Sequence, residues 1–539
     1  RMPSLQRSVT AASSWVVLLS SLSLAPVSAA RPAASTTASG TRPYNILFLP
    51  ADDLKPLLGC YGDKFAKTPH IDRLAARGTI FRNNHCQQAV CGPTRASLMT
   101  GMYPDHTRVW DLNTRMRDVH PDLLTLPQYL RQHGYTTTSI GKTYDFRCVD
   151  DKGDEPSWSI PEENTDVPSN AGLFEIRHFP AVAARKGTAA TVTPEATAAR
   201  LRALRAVPNG KGDRGPSFHR PAFLDDDVSD LEYVDGQLAE YGSVLLAKFA
   251  RSGQPFFLSV GFMRPHLPFI APKRYWDLYD PATLPLSPYQ EHAANSPDLA
   301  YHNSAELRFQ YSDIPDLGPL SPKLQRQLIH GYYASVSYVD AQVGKLLDQL
   351  DALGLADNTI VCLWGDHGWH LGDHGLWCKH TNFEQATRSP LIISAPGKPR
   401  GLASDSPTGF IDVFPTLCGL AGLPIPGHLQ GRNLMPLWDD PNGSVREAIL
   451  SQYPRSIGNK PVMGYALRSK RYRYVKWLQI DFRQGERAGP LVATELYDYE
   501  KDPHESASQA ANPDYTAVVA QFETLFRQMD VAQHKGLYR

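Results

Sequence analysis

The chain is predicted to be an α/β protein built on a mostly parallel sheet. Three short apolar runs carry that prediction, because each ends in polar residues. "YNILFLP" (44–50) leads into Ala51-Asp52-Asp53, "PFFLSVGFM" (255–263) into Arg264-Pro265-His266, and "NTIVCLWG" (358–365) into Asp366-His367. Runs of this length without alternation are the pattern of strands covered on both faces. Helical patterns separate them: "IDRLAARG", "TLPQYLRQHG", "DLEYVDGQLAEYGSVLLAKFA" and "RQLIHGYYASVSYVDAQVGKLLDQLDALG". Strands alternating with helices argue for a parallel sheet, and ligands of such sheets gather beyond the carboxyl ends of the strands. The three polar clusters are therefore expected to meet at one site.

The flanks read differently. Residues 1–29 run from Arg1 and Arg7 through an apolar stretch to "VSA", the order of a signal peptide, too short and Ser-rich for a stable membrane span. An exported protein, periplasmic or secreted, is expected, with 30–43 as a linker. Residues 44–440 are expected to form the catalytic domain. Residues 150–225, rich in Pro, Gly and charge, are expected to form surface loops. After about residue 440 the pattern changes. "GYALRSKRYRYVKW" (464–477) alternates like an exposed strand, "TELYDYEKDP" (494–503) reads as strand and turn, and "YTAVVAQFETLFRQM" (515–529) as an amphipathic helix. Residues 441–539 are thus read as a smaller C-terminal α+β subdomain.

Composition excludes some functions. The 539 residues are 42% hydrophobic and 20% charged, and 55 basic residues balance 55 acidic ones. No basic excess points to nucleic acid. The seven cysteines, at 60, 86, 91, 148, 362, 378 and 418, fit neither a zinc motif nor a dense disulfide scaffold. Setting Cys91 aside leaves six, which does not establish three disulfides.

Cys91 stands in "AVCGPTRASLMTG" (89–101), where a helix begins. It has no cysteine at metal spacing and no adjacent histidine to activate it. Elsewhere, Asp52 and Asp53 end one strand and Asp366-His367 ends another. Three carboxylates without a soft ligand describe a hard-cation site, Ca²⁺ in preference to Mg²⁺, with His367 the least natural ligand.

Cys91-Gly92-Pro93-Thr94-Arg95 followed by Thr100-Gly101 matches C-x-P-x-R…T-G, and on this motif the chain resembles the type I sulfatases of the alkaline-phosphatase-like superfamily. The resemblance implies an alkaline-phosphatase-like sandwich and the conversion of Cys91 by a formylglycine-generating enzyme to formylglycine (3-oxoalanine), an aldehyde present as its hydrate. One hydroxyl of the hydrate would attack sulfur, and the other, once deprotonated, would expel sulfate. A helix N-terminus suits the charge that develops there, and Arg95, one turn on, could hold the hydrate. "ADDLKPLLGCYGD", "QQAVCGPTR", "PHLPF", "DHGWHLGDHGLWCKHTNF", "SQYPR" and "MGYALRSKRYRY" resemble more narrowly the iduronate-2-sulfatase branch, over roughly residues 44–500. That branch implies one Ca²⁺ held by Asp52, Asp53, Asp366 and His367 with modified Cys91. It implies Lys142 and Lys379 on the sulfate, and His266 contacting sulfate or protonating the leaving alcohol. It has a histidine where this chain has Asp145, which leaves open whether Asp145 or a loop histidine removes the hydrate proton.

Trp369, His370, His374 and Trp377 are expected to shape a sugar site, since aromatic faces suit pyranose C–H edges. His370, Asp373 and His374 are not read as a second metal site. Tyr453 and Arg455 are further candidates, with Arg455 able to pair with a uronate carboxylate or to serve as a structural helix-to-loop arginine. The expected reaction removes sulfate from a glycan, best the 2-O-sulfate of a terminal uronate. Alternatives are choline, aryl or algal polysaccharide sulfates, a phosphatase or phosphonate esterase on the same fold, and a non-catalytic glycan-binding protein. Basic residues between Arg200 and Arg220 could assist a polyanion.

Overall fold

The computed structural model describes residues 43–150, 152–160, 221–480 and 489–534. The expected signal peptide, nearly all of the linker, most of the 150–225 loops and the basic stretch 200–220 lie outside them. Seven strands form the central sheet: β1 (Asn45–Ala51), β2 (Thr79–Phe81), β3 (Thr136–Gly141), β4 (Phe256–Gly261), β5 (Thr359–Gly365), β6 (Leu391–Ser394) and β7 (Leu402–Ser404). Their order is β7-β2-β6-β5-β1-β4-β3. Only β6 runs against its neighbours; the other pairings are parallel. The mostly parallel sheet expected from the sequence is therefore present.

Period-two alternation decides which face each strand residue covers. On one face Leu47, Leu49, Leu258, Val260, Val361 and Leu363 pack under helices α1 (Pro69–Arg77), α4 (Val234–Ser252) and α5 (Pro322–Ala352). On the other, Ile46, Phe48, Phe257, Cys362 and Trp364 pack under α2 (Cys91–Thr100), α3 (Leu126–Gln132) and α6 (Val413–Leu420). The helix starts follow from sequence. Pro69, Pro127 and Pro322 sit in first turns, where a missing N–H costs nothing, and the Thr125 and Ser321 hydroxyls accept from Gln128 N and Leu324 N.

Register aligns the strand ends. Ala51 pairs with Gly365, and Gly141 with Gly261, so the residues that follow β1, β5, β3 and β4 emerge together. Asp52-Asp53, Asp366-His367, Lys142 and the His266 loop are those residues.

The C-terminal sheet is antiparallel, with β8 (Ile449–Ile457), β9 (Lys460–Arg468), β10 (Tyr472–Gln479) and β11 (Leu491–Asp498) in sequence order, and is joined by α7 (Thr516–His534). Here two expectations are corrected. Residues 464–477 are two strands joined by a turn at Ser469, not one, and neither is an exposed strand. Tyr465, Leu467 and Tyr474 pack with Phe522 and Phe526 of α7, while Val462, Ala466, Val475 and Trp477 pack with Leu376 and Phe383 of the catalytic layers. The sheet is covered on both faces, so alternation alone misjudged it. Arg455 lies within β8, not at a helix-to-loop junction. Pro43–Arg539 forms one compact unit. Among the described residues no helix is long and apolar enough to cross a membrane.

Candidate active site

Cys91 is the first residue of α2 and is buried. Its N-cap, Val90, is extended and offers no capping side chain. The first turn thus directs backbone N–H groups and positive potential toward the pocket without a competing side-chain oxygen. The far end explains the T-G of the motif. Gly101 has φ of +65°, the left-handed C-cap position that favours glycine, and Met102 N returns to Ser97 O at 3.2 Å. Burial, and then the nearby Asp52 charge, push the Cys91 thiol up, so the bare thiol stays protonated and is a poor nucleophile.

The carboxylates converge on this sulfur. Cys91 Sγ lies 3.5 Å from His367 Nε2 and 4.0 Å from Asp53 Oδ1. Donor atoms of Asp53, Cys91, Asp366 and His367 all fall within 4.8 Å of one another, and those of Asp52, Asp53 and His266 form an adjoining group. The Asp52-Asp53 turn is held from three sides. Asp52 N donates to Phe262 O at 3.1 Å, Asp53 N to Asp366 Oδ1 at 2.9 Å, and Tyr332 of α5 donates to Asp53 O at 2.7 Å. These bonds fix Asp53 at φ of +62°, a region aspartate tolerates better than most residues.

Two observations fit this pocket to a divalent cation. His367 Nδ1 is 3.0 Å from Gly368 O, an acceptor only, so Nδ1 donates there and Nε2 is the nitrogen turned to the carboxylates. That nitrogen lies 3.3 Å from Asp53 Oδ1 and 3.6 Å from Asp366 Oδ1, so the three possible ligand atoms surround a common point. Burial also holds the Asp53 carboxyl above the usual carboxylate range despite His266, Lys379 and His367 nearby, and a bound cation would favour its charged form. At Asp52 burial is overcome by Lys142 and Arg95, and the carboxyl is held well below that range.

Arg95 differs from expectation. Its guanidinium donates to Asp366 Oδ2 and Asp52 Oδ1, both at 3.0 Å, and to the carbonyls of Lys142 and Thr143 at 2.5 and 3.1 Å. It is engaged in fixing the acids rather than turned to Cys91. Lys142 Nζ donates to Asp52 Oδ2 at 2.6 Å, and Lys379 Nζ to Asp53 at 3.0 Å while lying 5.0 Å over the Trp369 ring. Asp145 is buried and fastened at both oxygens to Arg147, at 2.9 and 2.8 Å. Burial would raise its carboxyl, but the Arg147 hydrogen bonds and the Lys142 charge hold it at about 2, which makes it a weak base.

The sugar-site expectation is corrected for four residues. Trp369, His370, His374 and Trp377 are buried and cannot present a face to a sugar in this structure. Trp369 underlies Lys379. His370 Nε2 meets Thr381 Oγ1 at 2.9 Å, His374 stacks on Phe383 at 4.2 Å, and the backbone of Trp377 donates to Ser304 Oγ at 3.0 Å. Asp373 accepts from Ser287 at 2.9 Å. Tyr453 and Arg455, in contrast, are half-buried beside Lys379. Arg455 lies 4.6 Å over the Tyr453 ring and donates to His380 O at 2.5 Å. The sequence reading missed Glu306, whose Oε1 accepts from Lys379 at 2.8 Å and lies 3.1 Å from His266 Nε2. Nothing in "YHNSAELR" signals it, because its partners lie far away in the chain. The seven cysteines, all among the described residues, form no disulfide with one another.

The chain belongs to the sulfatase family: the family's description matches residues 44–423, and that of the N-sulphoglucosamine sulphohydrolase C-terminal region matches residues 372–532. It is an enzyme that hydrolyses sulfate esters. Iduronate 2-sulfatase from Mus musculus is 34% identical over 558 positions, covering 91% of this chain and 95% of that one. The Homo sapiens iduronate 2-sulfatase is 34% identical over 538 positions, covering 86% and 90%. Among solved structures, a phosphonate monoester hydrolase from Silicibacter pomeroyi shares the fold, with a TM-score of 0.67 at 24% identity over 92% of this chain and 96% of that one.

Proposed function

We propose that this sulfatase removes the 2-O-sulfate of a uronate at the end of a glycan, with Cys91 matured to formylglycine and one Ca²⁺ beside it. The observation that carries the reading is the position of Cys91 Sγ, 3.5 Å from His367 and 4.0 Å from Asp53 at an uncapped helix start. The substrate is carried by likeness to iduronate 2-sulfatases. Asp52, Asp53, Asp366 and His367 would hold the ion, which when bound would neutralise sulfate charge and lower the pKa of the hydrate hydroxyl.

The remaining work falls to this chain's own side chains. Lys142 and Lys379 each sit on an aspartate and can take a sulfate oxygen by a small swing of the ammonium. Arg95 holds Asp52 and Asp366 in place. His266 faces the pocket through Nε2, because Nδ1 is turned to Leu267 O at 2.6 Å, and is placed to give a proton to the leaving alcohol. Asp145 orients Arg147 and Lys142 and does not take the hydrate proton. Arg455 donates from its three guanidinium nitrogens to the carbonyls of Leu299, Pro454 and His380, so it braces the loop that carries Lys379 rather than offering a free fork to a uronate carboxylate. Export to the periplasm or medium fits the sulfated polysaccharide substrate.

A substrate panel tests the reading. Turnover of a 2-O-sulfated uronate disaccharide above choline sulfate and aryl sulfates supports it, and the reverse order overturns it. Chelation should abolish turnover, and Ca²⁺ should restore it. Two zinc ions per chain and faster phosphonate cleavage would favour the phosphonate esterase reading. Binding without turnover by matured protein would favour a glycan-binding one.

A further inference from the structure

Four polar side chains, those of Lys379, Glu306, His266 and Asp53, close into a ring beside Cys91. Lys379 Nζ lies 3.0 Å from Asp53 Oδ2 and 2.8 Å from Glu306 Oε1. Glu306 Oε1 lies 3.1 Å from His266 Nε2, and that nitrogen lies 3.7 Å from Asp53 Oδ2. Anion and donor alternate around the ring. Asp53 and His266 follow strands of the central sheet, Lys379 follows the short strand Trp377–Cys378 of a separate two-stranded sheet, and Glu306 belongs to neither. It comes from the short helix Ala305–Arg308, outside the sheet, and reaches in to join two loops that have no other bond to each other in this ring. Its second oxygen, Oε2, is buried, has no hydrogen-bond partner among the described residues and lies 3.8 Å from His380 Nε2. The side chain is thus held at Oε1 by the Lys379 hydrogen bond and the His266 contact, with His380 on its other oxygen.

We infer that Glu306 is a positioning residue that holds Lys379 and His266 together on the leaving-group side of the sulfate. The inference rests on the reading of His266 as proton donor. In that step a hydroxyl oxygen of the matured Cys91 side chain would bond to sulfur as the S–O bond to the alcohol breaks, the leaving oxygen takes that electron pair, and it receives the proton from His266 Nε2. Glu306 fixes the direction of Nε2, because Nδ1 is already committed to Leu267 O. It also fixes Lys379 from the side opposite Asp53. Without Glu306 both groups keep their chemistry but lose their aim, and misplacement of that kind reduces rate more than binding.

The test uses full-length matured enzyme and a series of aryl sulfates of graded phenol acidity, from 4-nitrophenyl to phenyl. A good leaving group needs no proton, so loss of a proton donor shows only at the poor end of the series. His266→Ala, Glu306→Gln and Glu306→Ala are each compared with the parent in kcat and KM. We expect all three to lose about tenfold to a hundredfold in kcat on the least acidic phenol, with little loss on 4-nitrophenyl sulfate and little change in KM. Glu306→Gln preserves shape and keeps an oxygen for Lys379, so it reports even where Glu306→Ala fails to fold. Uniform loss across the series in the Glu306 variants, with His266→Ala selective, marks Glu306 as merely structural and overturns the inference alone. A non-selective His266→Ala overturns the proton-donor reading, and the inference with it.

Discussion

Arg95 makes a pair of buried acids tolerable. Asp52 and Asp366 are both fully buried, and the guanidinium bridges them with two bonds of 3.0 Å. Replacing Arg95 with Met leaves two uncompensated carboxylates, and the expected loss is about 3–5 kcal/mol of stability by urea unfolding. Lysine should not rescue it, because one ammonium cannot reproduce four bonds in a planar fork. Asp145 gives a prediction with a sign in pH. Its folded-state pKa of about 2 lies below the ordinary 3.8, so its contribution is fully present above about pH 4 and is lost as pH falls through about 2. Asp145→Asn should cost about 1–2 kcal/mol at neutral pH, discounted because Arg147 is partly exposed, and the gap should close in acid. Its kcat should stay within about tenfold of the parent, whereas loss of a general base costs more. Cys91, Asp52, Asp53, Asp366 and His367 were legible because motif spacing and strand ends mark them. Glu306 was not, since its contacts to Lys379 and His266 span segments that only the fold brings together.

At the scale of elements, α2 admits little change. A Cβ on Gly92 would stand 2.4 Å from Cys148 Sγ. Gly92→Ala should therefore destabilise by about 1–3 kcal/mol and reduce turnover, and Cys148→Ala in the same chain should recover much of both. Failure of the double variant to recover would place the constraint elsewhere. The loop carrying Lys379 depends on another element, the C-terminal sheet. Arg455 donates to His380 O at 2.5 Å, Asn382 to Gly464 O at 3.0 Å, and Glu505 accepts from Glu384 N at 3.1 Å. Arg473 adds a bond to Asn382 O. Three strands of the central sheet, β1, β4 and β5, could be read from short apolar runs and the long helices from their periodicity, whereas β2, β3, β6 and β7 are too short or too rich in Thr and Ser to stand out. The two-sided burial of β9 and β10 could not, because Tyr, Arg and Lys alternate with apolar residues there and look solvated until a partner layer is known.

For the molecule as a whole, this means the C-terminal sheet supports the catalytic layers rather than standing beside them. A chain ending at residue 440 would expose Leu376 and Phe383, which now pack with Val475, Trp477 and Tyr497. It would also strip the Lys379 loop of its bonds. Such a chain is expected to yield no soluble active protein, and the intact chain is expected to unfold in one cooperative transition from Pro43 onward. Two separated transitions would show that the sheet folds alone. Every proposed step still begins at one atom position at the start of α2. The most direct measurement is the mass of the Cys91-containing peptide, taken from preparations whose sulfate-releasing activity has been measured in parallel. Activity should rise in proportion to the fraction of peptide carrying an aldehyde or its hydrate in place of the thiol. Full activity from protein whose Cys91 peptide carries only the thiol would contradict the account.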